Sequence, residues 1–264
     1  MTNTVTLVTA FFDIGREKNG DGRSIDDYKK WIKTTLQLNC NMYIVTEEKF
    51  RDFFVQNRPS HLPTKIHIMP FVDSHYYRYY DQMTRIIQSD DYRSKIAHPR
   101  RVECVLPEYN VIQYSKFHYL EMAISDNPFH STHFFWLDAG VSRFFMDVDI
   151  TRPYPSPHTV QQLEYESRFI IQRRHDLDTY PLDDDFVWKS DNLLSGGMFG
   201  GTAEVVLKVA RLLEQIFQEK MLDRQNVNNE QLGLALVWKY NPELFHLVDN
   251  IYGEHLSLFK LLAL

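Results

Sequence analysis

Three short segments stand out for an acidic or amide side chain, for a shortage of side chains, or for both: FFWLDAG at 134–140, SGGMFGG at 195–201 and NNEQ at 228–231. In the first, Phe134, Phe135, Trp136 and Leu137 form an apolar run suited to a strand buried on both faces. Asp138 then falls where that strand leaves the sheet. Ligands of open α/β folds gather at the carboxyl ends of strands, and Ala139 and Gly140 would let a bulky ligand approach the backbone. Asp138 therefore reads either as a ligand-facing carboxylate or as a turn residue bonded to its own backbone. In the second segment, Gly196, Gly197, Gly200 and Gly201 either bare the main chain to a ligand or simply turn it. In the third, Asn228 or Asn229 can cap a helix while Glu230 and Gln231 project from its first turn. Glu230 would serve either a reaction or the helix dipole.

Several familiar chemistries lack their residues. The glycine run has the spacing of a phosphate-binding P-loop but no lysine where that loop needs one, and it also fails G-x-G-x-x-G. There is no G-x-S-x-G elbow and no H-E-x-x-H pair, which removes the usual support for a serine hydrolase or a zinc protease. Asp183, Asp184 and Asp185 offer a rival acidic cluster for a metal, but they follow Pro181 in a polar connection, where a solvated loop is the simpler reading.

The elements that must position these groups follow from patterning. VTLVTAFF (5–12), NMYIVT (41–46), TKIHIMPF (64–71), the run before Asp138 and RFIIQRR (168–174) read as strands, and LLSGGMFGG (193–201) as a strand breaking into a glycine turn. Ser24, with Asp27 three residues on, opens a helix through about Leu38. EEKFRDFFVQN (47–57) is a second helix, ended by Pro59. Helical spacing also runs from Tyr76 to Ser89, from Pro107 to Ser125, over 202–221 and over 228–240. Residues 13–23, 151–158 and 176–185 read as loops. Alternating strands and helices predict an α/β fold, a mainly parallel sheet flanked by helices. The terminal LSLFKLLAL reads as a last core helix, with a dimer contact or a membrane-facing patch as alternatives.

With 264 residues and a net charge of −6, the chain reads as one soluble domain with no broad affinity for nucleic acid, although a local basic cleft for a phosphate stays open. Cys40 and Cys104 lie far apart, without C-x-x-C spacing, which suits a reducing compartment. No secretory signal and no run of about 18 apolar residues stands out. The expected location is cytoplasmic, with a peripheral place at the membrane left open.

Taken in order, TLVTAFFDIGR (6–16), PEYN followed by SK (107–116), WLDAG, SGGMFGG and NNEQ resemble the WlaTC/HtrL family of bacterial glycosyltransferases, and more widely the GT-A glycosyltransferases. The resemblance implies a single Rossmann-like, GT-A-like domain over 1–264. Residues 1–145 would carry a nucleotide-sugar donor, UDP- or GDP-linked, and 146–264 a glycan or glycolipid acceptor. It implies transfer of a sugar to an acceptor hydroxyl in making surface polysaccharide, lipopolysaccharide or glycoprotein glycan. The backbone around Thr9, Ala10 and Phe11 would meet the nucleoside, with Trp136, Gly140, Gly196 and Gly197 also against the donor and Arg16 and Lys116 near its diphosphate or sugar. Asp138, with His255, would hold Mn²⁺ or Mg²⁺. Glu230 would be the carboxylate at the reaction centre, as general base in an inverting mechanism or beneath the anomeric carbon in a retaining one. The chain departs from GT-A enzymes in presenting D-A-G where they commonly have D-x-D, which leaves a single carboxylate. Two alternatives stand beside the transferase: a sugar nucleotidyltransferase, for which DIGREKNGDGR is a poor signature loop, and a sugar- or nucleotide-binding protein without turnover.

Overall fold

The computed structural model describes residues 5–145, 147–183, 185–189, 191–253, 255 and 257–264. Its seven strands are β1 (Val5–Phe11), β2 (Asn41–Thr46), β3 (Thr64–Ile68), β4 (His133–Leu137), β5 (Phe169–Arg173), β6 (Leu194–Thr202) and β7 (Phe245–Val248). They form one sheet in the order β3-β2-β1-β4-β6-β5-β7. All neighbouring pairs are parallel except those made by β6, which runs antiparallel to both β4 and β5. Among the described residues ten α-helices flank or border it: α1 (Arg16–Asn19), α2 (Ile25–Thr35), α3 (Arg51–Asn57), α4 (Tyr80–Gln88), α5 (Asp90–Lys95), α6 (Pro107–Asp126), α7 (Pro157–Leu163), α8 (Ala203–Ile216), α9 (Glu230–Tyr240) and α10 (Ser257–Ala263).

The period of two in the strand sequences divides the interior into two cores. Phe134 and Trp136 face one, with Val8, Tyr43 and Phe199, under α4, α6, α8 and α9. Phe135 and Leu137 face the other, with Leu7, Ile44 and Met198, under α2, α3 and α10. The apolar run before Asp138 is thus a strand covered on both faces, as its composition requires. Helix α6 is the strut of the first core: Phe117 stacks on Phe199 at 4.9 Å between ring centroids, and Tyr114, Tyr119 and Leu120 are fully buried. The apolar carboxyl end belongs to the second core, where Phe259 of α10 stacks on Phe145 and Tyr154 at 4.2 and 4.7 Å.

Local signals set most boundaries. Ser24 and Asp27 form a reciprocal capping box at the start of α2, and Pro107 opens α6 at a position where its missing N–H has no intrahelical partner to lose. Four expectations need correction. The glycines of SGGMFGG do not turn the chain but run through the interior of β6, because close neighbours leave no room for side chains. A Cβ at Gly200 would overlap the Phe134 carbonyl oxygen and lie 2.6 Å from Phe135 Cα. Residues 157–158 are not loop but open α7, with Pro157 in its first turn and Ser156 capping the Thr159 N–H. Helix α2 ends at Thr35 rather than near Leu38, and β3 ends at Ile68, before Pro70. Strand β7 adds an edge that the patterning of 241–250 does not announce.

One side chain locks the first half of the sheet. Arg58, 6% exposed, donates to the carbonyls of Leu36, Leu38 and Cys40 at 2.7, 2.7 and 2.6 Å and to Thr64 Oγ1 at 2.9 Å. It satisfies the chain leaving α2, the entry to β2 and the start of β3 together, in the manner of a cap supplied from a distance. Removing it orphans several buried carbonyls, so Arg58→Ala should cost about 3 kcal/mol or more in denaturant unfolding; an unchanged midpoint would show the guanidinium to be dispensable. At the opposite end of the sheet, Arg168 and His246 hold the Glu166 carboxyl down to about 2, below its ordinary 4.5. Its contribution to stability is full above about 4.5 and is lost as pH falls toward 2. The stability gap between the parent and Arg168→Gln should therefore close over that acid range and stay constant above it; unfolding curves collected as a function of pH test this.

Candidate functional site

The sheet order contains a reversal. From β1 the chain builds outward through β2 to β3, and α6 then carries it back to lay β4 on the opposite side of β1. Segments leaving the carboxyl ends of β1 and β4 must diverge, and such a switch point opens a crevice in α/β sheets. A cavity of about 640 Å³ lies there. Ala10 and Phe11 of β1 and the loop from Asp13 to Lys18 form one wall, and Trp136 with Asp138, Ala139 and Gly140 another. Tyr109, Gln113 and Lys116, spaced by four and three residues along α6, give a third, and Ser195 to Gly197 of β6 with Gln231 of α9 close it.

The charged core of this site is built around Lys116. Its ammonium, 4% exposed, donates to Glu230 Oε1 at 2.7 Å and to the Gly196 carbonyl at 3.0 Å, and it lies 3.1 Å from Asp138 Oδ1. Trp136 Nε1 donates to the same Asp138 oxygen at 2.6 Å, which fixes that carboxylate against the end of β4. Burial works against the Lys116 charge, but Asp138 and Glu230 outweigh it and hold the ammonium above the usual lysine range. Burial pushes the Glu230 carboxyl up against the opposing pull of Lys116, and its Oε2 is buried without a hydrogen-bond partner.

The structure gathers most of the residues marked by the sequence and separates their roles. Ala10, Phe11, Arg16, Lys116, Trp136, Asp138, Gly140, Gly196, Gly197 and His255 all border the cavity. Thr9 is buried behind the wall. Glu230 is also behind it, fully buried beneath Gly196, where a Cβ would overlap Glu230 Oε1. Asp138 is the carboxylate that faces the space, with 43% of its side chain exposed. Two hydrogen bonds and the ion pair with Asp138 engage the buried Lys116 ammonium within the protein, which makes it a poor candidate for holding a diphosphate. Asp183 and Asp185 lie exposed in a loop, and Asp184 falls outside the described residues.

Sequence reasoning missed Tyr28, Arg23, Arg143 and Arg174 on the cavity wall, and also Gln113, whose Oε1, like that of Gln231 from NNEQ, is buried without a partner. Gln113 had a signal, since it shares the helical face of Lys116. With Arg16, Lys18 and Lys116 the wall carries six cationic side chains against three carboxylates, Asp13, Glu17 and Asp138. A chain of net charge −6 has thus reversed its sign locally, which favours an anionic ligand.

A resident divalent ion fits these residues poorly. Among the described residues no group of three or more His, Cys, Asp or Glu side chains converges. Asp138 and His255 both reach the cavity, yet Oδ1 of Asp138 is already bonded to Trp136 and Lys116, and the His255 ring stacks on Phe144 at 4.7 Å. The buried pair itself is testable. Lys116→Met strands Glu230 and should cost about 3–5 kcal/mol, whereas Lys116→Met with Glu230→Leu should recover more than half of that. Equal stabilities of the single and double variants in urea would show that the pair is not coupled.

No curated protein matches the chain. A family model described as "Bacterial protein of unknown function (HtrL_YibB)" matches residues 3–264. By that match over almost its whole length, the chain belongs to the HtrL_YibB family of bacterial proteins.

Proposed function

We propose that the protein is a glycosyltransferase that moves a sugar, of the hexose type, from a nucleotide-sugar donor to an acceptor hydroxyl in the synthesis of a surface polysaccharide, lipopolysaccharide or glycoprotein glycan. The observation that carries this reading is the cavity at the β1/β4 switch point, with cationic walls and a carboxylate–ammonium–carboxylate array at its floor. A nucleoside diphosphate is an anion of suitable size for such a space, and its departure needs positive charge nearby. Tyr28 and Phe11, 6.1 Å apart, offer apolar surface for a base next to the end of β1.

In this reading the acceptor oxygen attacks the anomeric carbon, the bond from that carbon to the diphosphate oxygen breaks, and the acceptor proton passes to a carboxylate. Asp138 is the carboxylate that faces the reactants. Trp136 and Lys116 hold it through one oxygen, which leaves the other for the proton. Glu230 acts through Lys116, as the buried group that keeps the ammonium in place. No helix among the described residues is long and apolar enough to cross a membrane.

The test is a thermal-shift panel of UDP, GDP, CMP and their sugars, followed by transfer assays with whichever donor binds. A ligand that binds only the folded state at 100 times its dissociation constant adds about 2.7 kcal/mol. Asp138→Asn should lower kcat by about 10²–10⁴ while donor binding persists. Glu230→Gln should retain measurable transfer with a displaced pH profile. Abolished transfer in Glu230→Gln beside an active Asp138→Asn would put the base at Glu230 instead. A donor that stabilises the protein but is never transferred to any acceptor would make it a binding protein, and no shift with any nucleotide would sink the reading.

A further inference from the structure

Arg143 is a cation on the cavity wall held by aromatic rings rather than by a carboxylate. It sits in the single helical turn Val141–Phe144 that follows Asp138. Its guanidinium lies 4.5 Å from the Trp31 ring centroid and 4.9 Å from that of Phe144, and no described residue places a carboxylate within 4 Å of it or bonds its side chain. A guanidinium laid on aromatic rings keeps its N–H edges free, in a fork that matches two oxygens of a phosphate. Gly140 makes this shelf possible, since a Cβ there would come within 3.1 Å of Trp31 and 3.2 Å of Tyr28.

The neighbours of Arg143 are also cations. Arg16 binds Asp21 through Nε and Nη2 and Tyr28 through Nη1, which leaves one N–H on each terminal nitrogen, and Arg23 lies 3.3 Å from the same aspartate. Burial, with repulsion from Arg23 and Arg16, makes Arg143 a weaker base than usual, so the cluster is primed for an incoming anion. Asp21, with Asp138 acting on Arg143 from a greater distance, gives two carboxylates against three guanidinium groups. Lys116 is buried and already engaged by Glu230, Gly196 and Asp138.

We propose that Arg143, flanked by Arg16 and Arg23, grips the diphosphate of the donor, and that these three guanidinium groups provide the charge neutralisation for which the described residues converge on no metal site. The inference rests on reading the cavity as a nucleotide-sugar site, but the anion grip can be measured without that reading. The probe is inorganic pyrophosphate, alongside UDP and GDP, titrated calorimetrically into the full chain in EDTA and again with Mn²⁺.

Pyrophosphate should bind in EDTA, and Arg143→Gln should weaken it by about tenfold or more. Arg143→Lys keeps the charge but not the fork and should fall between, and Arg23→Gln should weaken binding independently. Unchanged melting temperatures would show that the variants stay folded. Binding that requires Mn²⁺, or that survives both Arg143 substitutions, overturns the proposal while leaving the transferase reading intact. Arg143-dependent binding of pyrophosphate without any affinity for UDP or GDP supports the anion grip and counts against the transferase. No binding of pyrophosphate to the parent protein overturns the grip outright.

Discussion

An ammonium group sealed inside a protein is tolerable only if hydrogen-bond acceptors and counter-charge surround it, and meeting that demand for Lys116 shapes the architecture around it. Acceptors come from β6 and α9 and a further carboxylate from the end of β4, so three elements distant in sequence must converge on one nitrogen. Gly196 has no side chain because Glu230 occupies that volume. Asn229, three residues after a buried Asn226, caps α9 so that Glu230 begins the helix at the right depth. Apolar residues of similar size would seal the same space more cheaply in free energy, so the retention of three charges argues that the array serves something other than stability.

The reversal of sign within the cavity is a second consequence of position. The switch point fixes where a ligand goes, and the segments that leave β1 and β4 supply what it meets. From β1 comes a loop carrying Arg16, Lys18 and Arg23, and from β4 comes a turn carrying Asp138 and then Arg143. Both segments meet α2: Arg16 donates to Tyr28, Arg143 lies over Trp31, and these two rings, 5.2 Å apart on that helix, pack against Gly140. Membership of the HtrL_YibB family fits a chain whose motifs are spread from its first strand to its ninth helix. The site is assembled from that whole length.

Much of this was legible in the residues themselves. Continuous apolar runs gave β1, β2 and β4, because strands covered on both faces need no polar alternation, and Ser24 and Pro107 marked helix starts through local bonding alone. Asp138 was found for the same reason, as the first polar residue after such a run. What stayed hidden depended on distant partners. Nothing local distinguishes glycines that turn a chain from those that let β6 lie against Phe134 and Phe135, and Arg58 looks like any helix-ending arginine until the carbonyls of α2 and β2 surround it. Glu230 was recognisable as special, but its burial behind Lys116 is a property of packing. Arg143 carries meaning only once Trp31 lies beneath it.

The strand order also sets a timetable for the chain. The first three strands pair with one another, β1 with β2 and β2 with β3, within residues 5 to 68. Strand β5 has no such option. Among the described residues its neighbours are β6 and β7, both made after it, and β6 stands between it and β4. The segment Phe169–Arg173 must therefore remain without sheet partners until residues 194–202 have been synthesised and inserted, so the carboxyl-terminal half can close only from the inside outward.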